Sequence, residues 1–264
     1  MRVSNAIVRH SSSKIFRTMF DALYEVACLL YSNLFGAYQD IKLRSYSIQA
    51  IQNTPVHSLD IEHPVPLPID SVNIRANNYC LKHILTEDDI NKIIVFFDKH
   101  KVFSAITQLT GFRYCIDFIS FYTTSAIPLH LQKEHFFANH YHRDKPFSRN
   151  MLKLWYPVDV NSIDGGELRV LASRNSRLTS REVSVERIFS ESSTKIHIFN
   201  PSIYYHKLSV PEQGSSSSQL MIQLNPADTW RISSDLYSNQ LNEPRFPDLF
   251  RPSSSRIASL NSVT

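Results

Sequence analysis

The sequence predicts a mainly β protein with supporting helices, its core a two-sheet jelly roll. Three observations carry that expectation. From Arg113 onward, short runs rich in aromatic and β-branched residues succeed one another, separated by polar turns. The chain has 264 residues, 42% apolar and 11% aromatic, which is enough to bury one sizeable core. Ahead of the strand-like runs lies a segment whose apolar spacing is helical, so a supporting helix is expected before the barrel in the chain.

Residues 15–38 are rich in large apolar groups, but Arg17, Asp21 and Glu25 recur every four residues and put charge on one helical face. The uncharged remainder, Val26 to Tyr38, is too short to span a bilayer. An amphipathic helix packed on protein is expected, with no transmembrane segment. Met1 to Lys14 lacks the apolar core and cleavage site of a secretory signal. Residues 39–76 contain Pro55, Pro64, Pro66 and Pro68 and read as an extended connector, with His57 and His63 solvated.

A helix start stands at Leu85-Thr86-Glu87-Asp88-Asp89-Ile90. Thr86 can cap the free amides, Asp89 can reach back as the capping-box acid, and Leu85 can staple onto Ile90. Ile90, Ile93, Ile94 and Phe97 then form one buried face. The strand-like runs follow: Tyr114 to Thr123, Lys133 to His142, Met151 to Val158, Glu167 to Ala172, Glu182 to Ile188, Thr194 to Phe199, Ile203 to Leu208 and Gln219 to Leu224. Beyond them Trp230 is placed over a barrel edge, and the terminal dozen residues are too polar to order themselves. The expected division is an N-terminal helix and connector over 1–76, a jelly-roll domain with its helix over 77–228, and an extension over 229–264.

Composition excludes some functions. The net charge is +4 with no dense Lys/Arg block, so nucleic acid is not an expected partner. Cys28, Cys80 and Cys115 are odd in number and far apart, offering neither a disulfide framework nor paired zinc spacing, and a reducing, cytoplasmic setting is expected.

The chemistry concentrates in His140-Tyr141-His142-Arg143-Asp144 and in His206, about sixty residues later. Side chains alternate along an extended strand, so His142 and Asp144 emerge on one face, roughly 6.5 Å apart. A neutral imidazole from His206 would complete two histidines and a carboxylate on one side of a metal, leaving the opposite positions open. That is the facial set of non-haem Fe(II) oxygenases. His140 shares the inward face and is a minor candidate ligand.

Around the triplet stand the strand-like Met151 to Val158, the turn Asp159-Val-Asn-Ser-Ile-Asp-Gly-Gly166, the run Glu167 to Leu171, and the segment Lys195-Ile-His-Ile-Phe-Asn-Pro-Ser-Ile-Tyr-Tyr-His206. This order, over residues 77 to 228, resembles the phytanoyl-CoA dioxygenase-like family of Fe(II)/2-oxoglutarate oxygenases, whose core is a cupin-like double-stranded β-helix. The resemblance implies an oxidoreductase, a dioxygenase hydroxylating a small or lipid-like organic substrate. It implies Fe(II) held by His142, Asp144 and His206, 2-oxoglutarate as co-substrate, and O2. One departure stands out. The family's Arg or Lys clamp for the co-substrate's distal carboxylate falls in a window that reads Ser216-Ser217-Ser218 followed by Gln219. Ser217 and Gln219 occupy the clamp's place, and Lys153, on the strand after the metal motif, is the best substitute cation, ahead of Lys207 and Arg169. Asn139, Tyr141, Tyr156 and Asn200 are candidates to orient the imidazoles, and Arg143 and Lys145 to line the entrance. A metal-binding barrel with altered co-substrate use, and a non-catalytic interaction module, are the alternatives.

Overall fold

The computed structural model describes residue 30 and most of residues 54–236, apart from 69–71, 135, 145–149, 161–164, 172–184, 189–193, 228, 234 and 235. The helix expected over 15–38, apart from residue 30 itself, Lys145 and the terminal dozen residues lie outside the described residues.

Two antiparallel sheets face each other. The larger runs β1 (His57–Asp60), β8 (Lys195–Phe199), β5 (Leu152–Val160), β10 (Ser216–Ala227), β4 (Arg113–Ser125), β3 (Cys80–Ile84), β2 (Val72–Asn77), with β11 (Arg231–Ile232) pairing β4 in parallel. The smaller runs β7 (Val185–Ile188), β6 (Leu168–Leu171), β9 (His206–Leu208), and an isolated bridge adds His142 beside His206. Along the chain, β4 lies in the large sheet, His142 beside the small one, β5 in the large, β6 and β7 in the small, β8 in the large, β9 in the small and β10 in the large. That back-and-forth winding is the jelly roll. It sets β8-β5-β10-β4 against β7-β6-β9-His142.

The period-two alternation decides what each face of the large sheet does. One face carries Ile116, Ile119, Phe121, Leu152, Leu154, Tyr156, Ile196, Ile198, Leu220 and Ile222, all buried against the helices α1 (Glu87–Lys99) and α2 (Val102–Thr110). The other face looks at the small sheet, where Trp155 and Phe199 meet Leu168, Val170, Tyr204 and Leu208. A bulge between Gln223 and Leu224 turns Asp117 to this inner side, where it accepts hydrogen bonds from the Gln223 and Asn225 amides.

α1 starts as its sequence dictates. The Asp89 N–H donates to Thr86 Oγ1 at 3.1 Å, and the Thr86 N–H donates to Asp89 Oδ2 at 2.8 Å, closing the capping box. Ile90, Ile93, Ile94 and Phe97 are all buried. α2 was not among the expected elements. Its signals were present in Val102, Phe103 and Ile106 at helical spacing and in Gly111 as the left-handed cap at φ +77°. Trp230 packs on this helix, 4.6 Å from the Phe103 ring, with Nε1–H donating to Thr107 Oγ1 at 3.0 Å.

Two segments differ from expectation. Residues 54–77 hold β1 and β2 where the prolines suggested only a connector. Pro55, Pro64, Pro66 and Pro68 flank the strands and interrupt neither ladder. The described residues of 133–141 do not form the expected strand: a short 3-10 turn at Leu129–Leu131 leads into bends held by one side chain. Asn139 Oδ1 accepts from the Phe136 and Phe137 amides at 3.3 and 3.4 Å, and its Nδ2 donates to the Glu134 carbonyl at 2.9 Å. Such local bonds offer the backbone an alternative to a ladder, which apolar composition alone does not reveal.

The turn between β5 and β6 fixes how closely the sheets approach. Gly165 has φ +109°, and a Cβ there would collide with the Val210 carbonyl oxygen and lie 2.9 Å from Pro211 Cα; Gly111 also has positive φ but open space around it. Gly111→Ala should therefore cost only the left-handed backbone penalty, about 1–2 kcal/mol. Gly165→Ala should cost clearly more, because the backbone it meets cannot yield. Urea denaturation of the two variants checks this order, and equal losses would contradict it.

Candidate metal centre

The site is assembled by one pair of backbone hydrogen bonds. The His142 N–H donates to the His206 carbonyl and the His206 N–H to the His142 carbonyl, both at 3.0 Å. Residues exchanging both bonds stand directly opposite each other with side chains on the same face. The two imidazoles accordingly lie with ring centroids 4.3 Å apart, on the side that looks into the barrel. Two residues on, the Asp144 N–H donates to the Pro201 carbonyl at 3.0 Å, which keeps the chain extended and returns the Asp144 carboxylate to that same side.

Each imidazole has its tautomer set by a backbone carbonyl. His142 Nδ1–H donates to the His140 carbonyl at 2.8 Å, and His206 Nδ1–H to the Tyr204 carbonyl at 3.2 Å. Both Nε2 lone pairs are thereby left for the interior, where they face Asp144 Oδ1 at 3.5 Å from His142 and 3.7 Å from His206. One ligand atom from each residue lies within 4.8 Å of the others. Three acceptors with no proton among them repel one another unless a cation stands between them. The donor set of two neutral imidazoles and a carboxylate therefore fits a divalent transition metal. Burial pushes the His206 imidazole down to about 3, so it stays neutral, as a ligand must be. Burial raises the Asp144 carboxyl, but the adjoining Lys153 ammonium, together with His206 and His142, outweighs that and holds it below its ordinary range.

Lys153 is the second feature. It is 5% exposed on the inner face of β5, in register between Phe199 and Gln223, and its Nζ makes an ion pair with Asp144 Oδ2. The carboxylate thus divides its work, one oxygen toward the imidazoles and the other toward the ammonium. A cavity of about 350 Å³ opens beside them, bordered by Lys82, Trp155, Phe199 and Met221 from the large sheet and by Leu168, Leu208 and Phe137 from the opposite side.

Of the remaining candidates, Lys207 borders the cavity and the others fall elsewhere. Gln219 and Ser217 lie on the inner face of β10 but four and six residues beyond the Lys153 rung, ~13 and ~20 Å along the strand. Ser217 Oγ stands 3.2 Å from the Gly166 carbonyl and 3.3 Å from Gln219 Oε1, and neither residue borders the cavity. Arg169 is tied to Glu167, its Nε–H donating to Oε1 at 2.7 Å, and Lys207 sets its ammonium over the Tyr141 ring at 4.8 Å. His140 turns its Nε2 to the Glu134 carbonyl at 3.1 Å and is not among the clustered ligands. Arg143 is exposed and stacks on Tyr205 at 4.3 Å. Asn139, Asn200 and Tyr156 bond to backbone groups elsewhere; the imidazoles are oriented by main-chain carbonyls, which no side-chain motif could signal.

No protein-family profile matches the chain. A search of curated proteins finds no match either. Among solved structures, similar ones include a prolyl-4-hydroxylase from Pseudomonas putida (10% identity, 70% of this chain and 99% of that one, TM-score 0.41). The non-haem α-ketoglutarate-dependent epimerase SnoN of nogalamycin biosynthesis aligns at 8% identity over 70% and 83% (TM-score 0.45). HygX from Streptomyces hygroscopicus, solved with nickel and 2-oxoglutarate bound, aligns at 7% over 68% and 86% (TM-score 0.43). Likenesses this distant carry no argument about activity, which rests on the geometry of the site.

That geometry makes two expectations measurable. Co(II) or Zn(II) should bind the purified protein with one equivalent per chain, and His206→Ala should weaken binding at least a hundredfold while His140→Ala leaves it unchanged; calorimetry reads both. The second concerns pH. His197, on β8 beside Trp155, is pushed down to about 4 by burial, against 6.5 when solvated. The unfolded chain therefore takes up its proton before the native state does. Stability is full above pH 6.5, falls as pH drops through the window toward 4, and levels off below it. Between pH 7.5 and 5 the metal-free protein should lose on the order of 2 kcal/mol through this residue. His197→Gln should flatten the urea-midpoint profile over that range.

Proposed function

We propose that the protein is an Fe(II)- and 2-oxoglutarate-dependent dioxygenase acting on a small or lipid-like organic substrate. The observation that carries this reading is the convergence of two proton-free imidazole nitrogens and one carboxylate oxygen beside a cavity with a buried lysine at its wall. The motif order over residues 77–228, which resembles the phytanoyl-CoA dioxygenase-like branch, points the same way.

His142, Asp144 and His206 would hold the metal. When bound, Fe(II) with 2-oxoglutarate and O2 supplies oxidation of a substrate C–H bond, coupled to decarboxylation of the co-substrate to succinate. The chain's own contribution is binding and placement. The carbonyls of His140 and Tyr204 keep the Nδ1 protons away from the metal side, so both ligands are presented without a conformational search. Trp155, Phe199, Leu168 and Leu208 restrict water beside the ligands. Lys153 would receive the co-substrate's carboxylate in exchange for its partner Asp144, whose carboxylate would serve the metal. A lysine here replaces the clamp whose usual place is taken by Ser217 and Gln219.

The Lys153–Asp144 ion pair also favours a second reading, in which the ammonium stays on the carboxylate and the barrel binds metal without 2-oxoglutarate. One experiment separates them. Under anaerobic conditions, 2-oxoglutarate added to the Fe(II) protein should produce visible metal-to-ligand absorption, and in air it should be turned over to succinate. Lys153→Met should weaken the co-substrate by one to two decades, the loss of a charge-assisted pair worth about 1.5–3 kcal/mol, while iron still binds. Iron binding without the absorption establishes the second reading; no iron binding removes both.

A further inference from the structure

One wall of the cavity belongs to no strand. Phe137 and Ala138 border it from residues 136–139, a run of bends shortly before the ligand His142. The two ends of this run are fastened differently. The Ala138 carbonyl accepts the Leu208 N–H at 2.7 Å, and the His142–His206 bridge follows, so that end is tied to the small sheet. At the other end the fastening crosses to the turn between β2 and β3. There Asn77 Nδ2–H donates to the Phe136 carbonyl, and the Tyr79 ring stands edge-on to the Phe136 ring at 4.6 Å. Asn77 also shapes its own turn, since its Oδ1 accepts the Tyr79 N–H at 2.8 Å. Ala76 and Cys80 flank that turn and border the cavity, so the seam between Asn77 and Phe136 lies along its edge.

Backbone held by a few side-chain contacts opens at a lower free energy than backbone held in a ladder. Opening at the Ala138 end would disturb the strand carrying His142 and dismantle the ligand set. Opening at the Phe136 end leaves the bridge between His142 and His206 intact. We propose that residues 136–139 are a gate over the cavity, latched by the Asn77 amide, and that small molecules enter through the seam between Phe136 and the β2–β3 turn. This concerns access to the cavity and stands whichever reading of the metal centre holds.

Cys80 reports on the gate. Burial pushes its thiol up to about 11, against 9.0 when solvated, so behind a closed gate it is both shielded and almost wholly un-ionised. The thiolate is the nucleophile, and opening raises its reactivity on both counts. The test alkylates the full metal-free chain with iodoacetamide at pH 8 and follows each cysteine by peptide mass spectrometry. Asn77→Asp keeps the acceptor for the Tyr79 N–H but removes the donor to Phe136, so it releases the latch without undoing the turn. Cys80 should be alkylated at least tenfold faster in this variant, while Cys115, buried on β4, keeps its parental rate and reports that the barrel stays closed. Tyr79→Leu, which removes the ring contact and leaves the turn's backbone bonds, should give the same selective rise and carries the test if Asn77→Asp does not fold. A parental Cys80 rate in a folded variant, or a rise shared equally by Cys115, overturns the proposal.

Discussion

The structure turns on a two-residue bridge. His142 and His206 exchange both backbone hydrogen bonds, and everything at the candidate metal centre follows from their being directly opposite. A slip of one residue in this pairing would turn one imidazole to the far face of the small sheet and dissolve the ligand set. The bridge is short, so its register is held from elsewhere. On one side Leu208 N–H donates to the Ala138 carbonyl at 2.7 Å, and on the other Asp144 N–H donates to the Pro201 carbonyl at 3.0 Å. β9 is in turn pinned to β6, where the Glu167 carboxylate accepts from Ser209 and Arg169. The site is held by the smaller sheet, while most of the apolar burial that stabilises the fold lies on the far side of the larger one.

That separation of labour is the second constraint. The outer face of the large sheet and the two helices form a continuous apolar core of isoleucines, leucines and aromatic rings. The inner face carries polar or charged groups at many positions: Lys82, Ser120, Lys153, His197, Ser217, Gln219 and Gln223. Burying such groups costs free energy unless each is paired, and most have identifiable partners in one another or in the backbone. Stability is thus supplied where no chemistry is expected. The inner face can then vary its side chains without unmaking the barrel.

Legibility from sequence follows from the same division. α1, β4, β5, β6 and β8 were readable because their apolar periodicity is long or their start signals are local, as with Thr86 and Asp89. His142 and Asp144 were readable as a pair because alternation within an extended segment depends on spacing alone, whereas His206 was reached through the resemblance in motif order. What escaped depended on tertiary partners. β1 and β2 are the edge strands of the large sheet, short segments that only their neighbours β8 and β3 make into strands. The non-strand at 133–141 hinges on Asn139 finding three backbone partners. Lys153 was legible as a basic residue on the right strand, but its burial against Asp144 was not.

The Lys153–Asp144 pair connects the apo site to the loaded one. Three convergent acceptors and no cation would leave the carboxylate charge uncompensated in a buried position, an arrangement costing several kcal/mol. Lys153 compensates it through the oxygen that does not face the imidazoles, so the protein can fold with its ligand set already in place. Under the oxygenase reading, a divalent ion at Oδ1 would lower the charge that Oδ2 presents, weakening the hold on Lys153 and making its ammonium available to another anion. Metal occupancy and affinity for an acid co-substrate would then be coupled through a single carboxylate. The coupling would be reciprocal: an acid that drew Lys153 away would strengthen the carboxylate's grip on the metal by the same free energy.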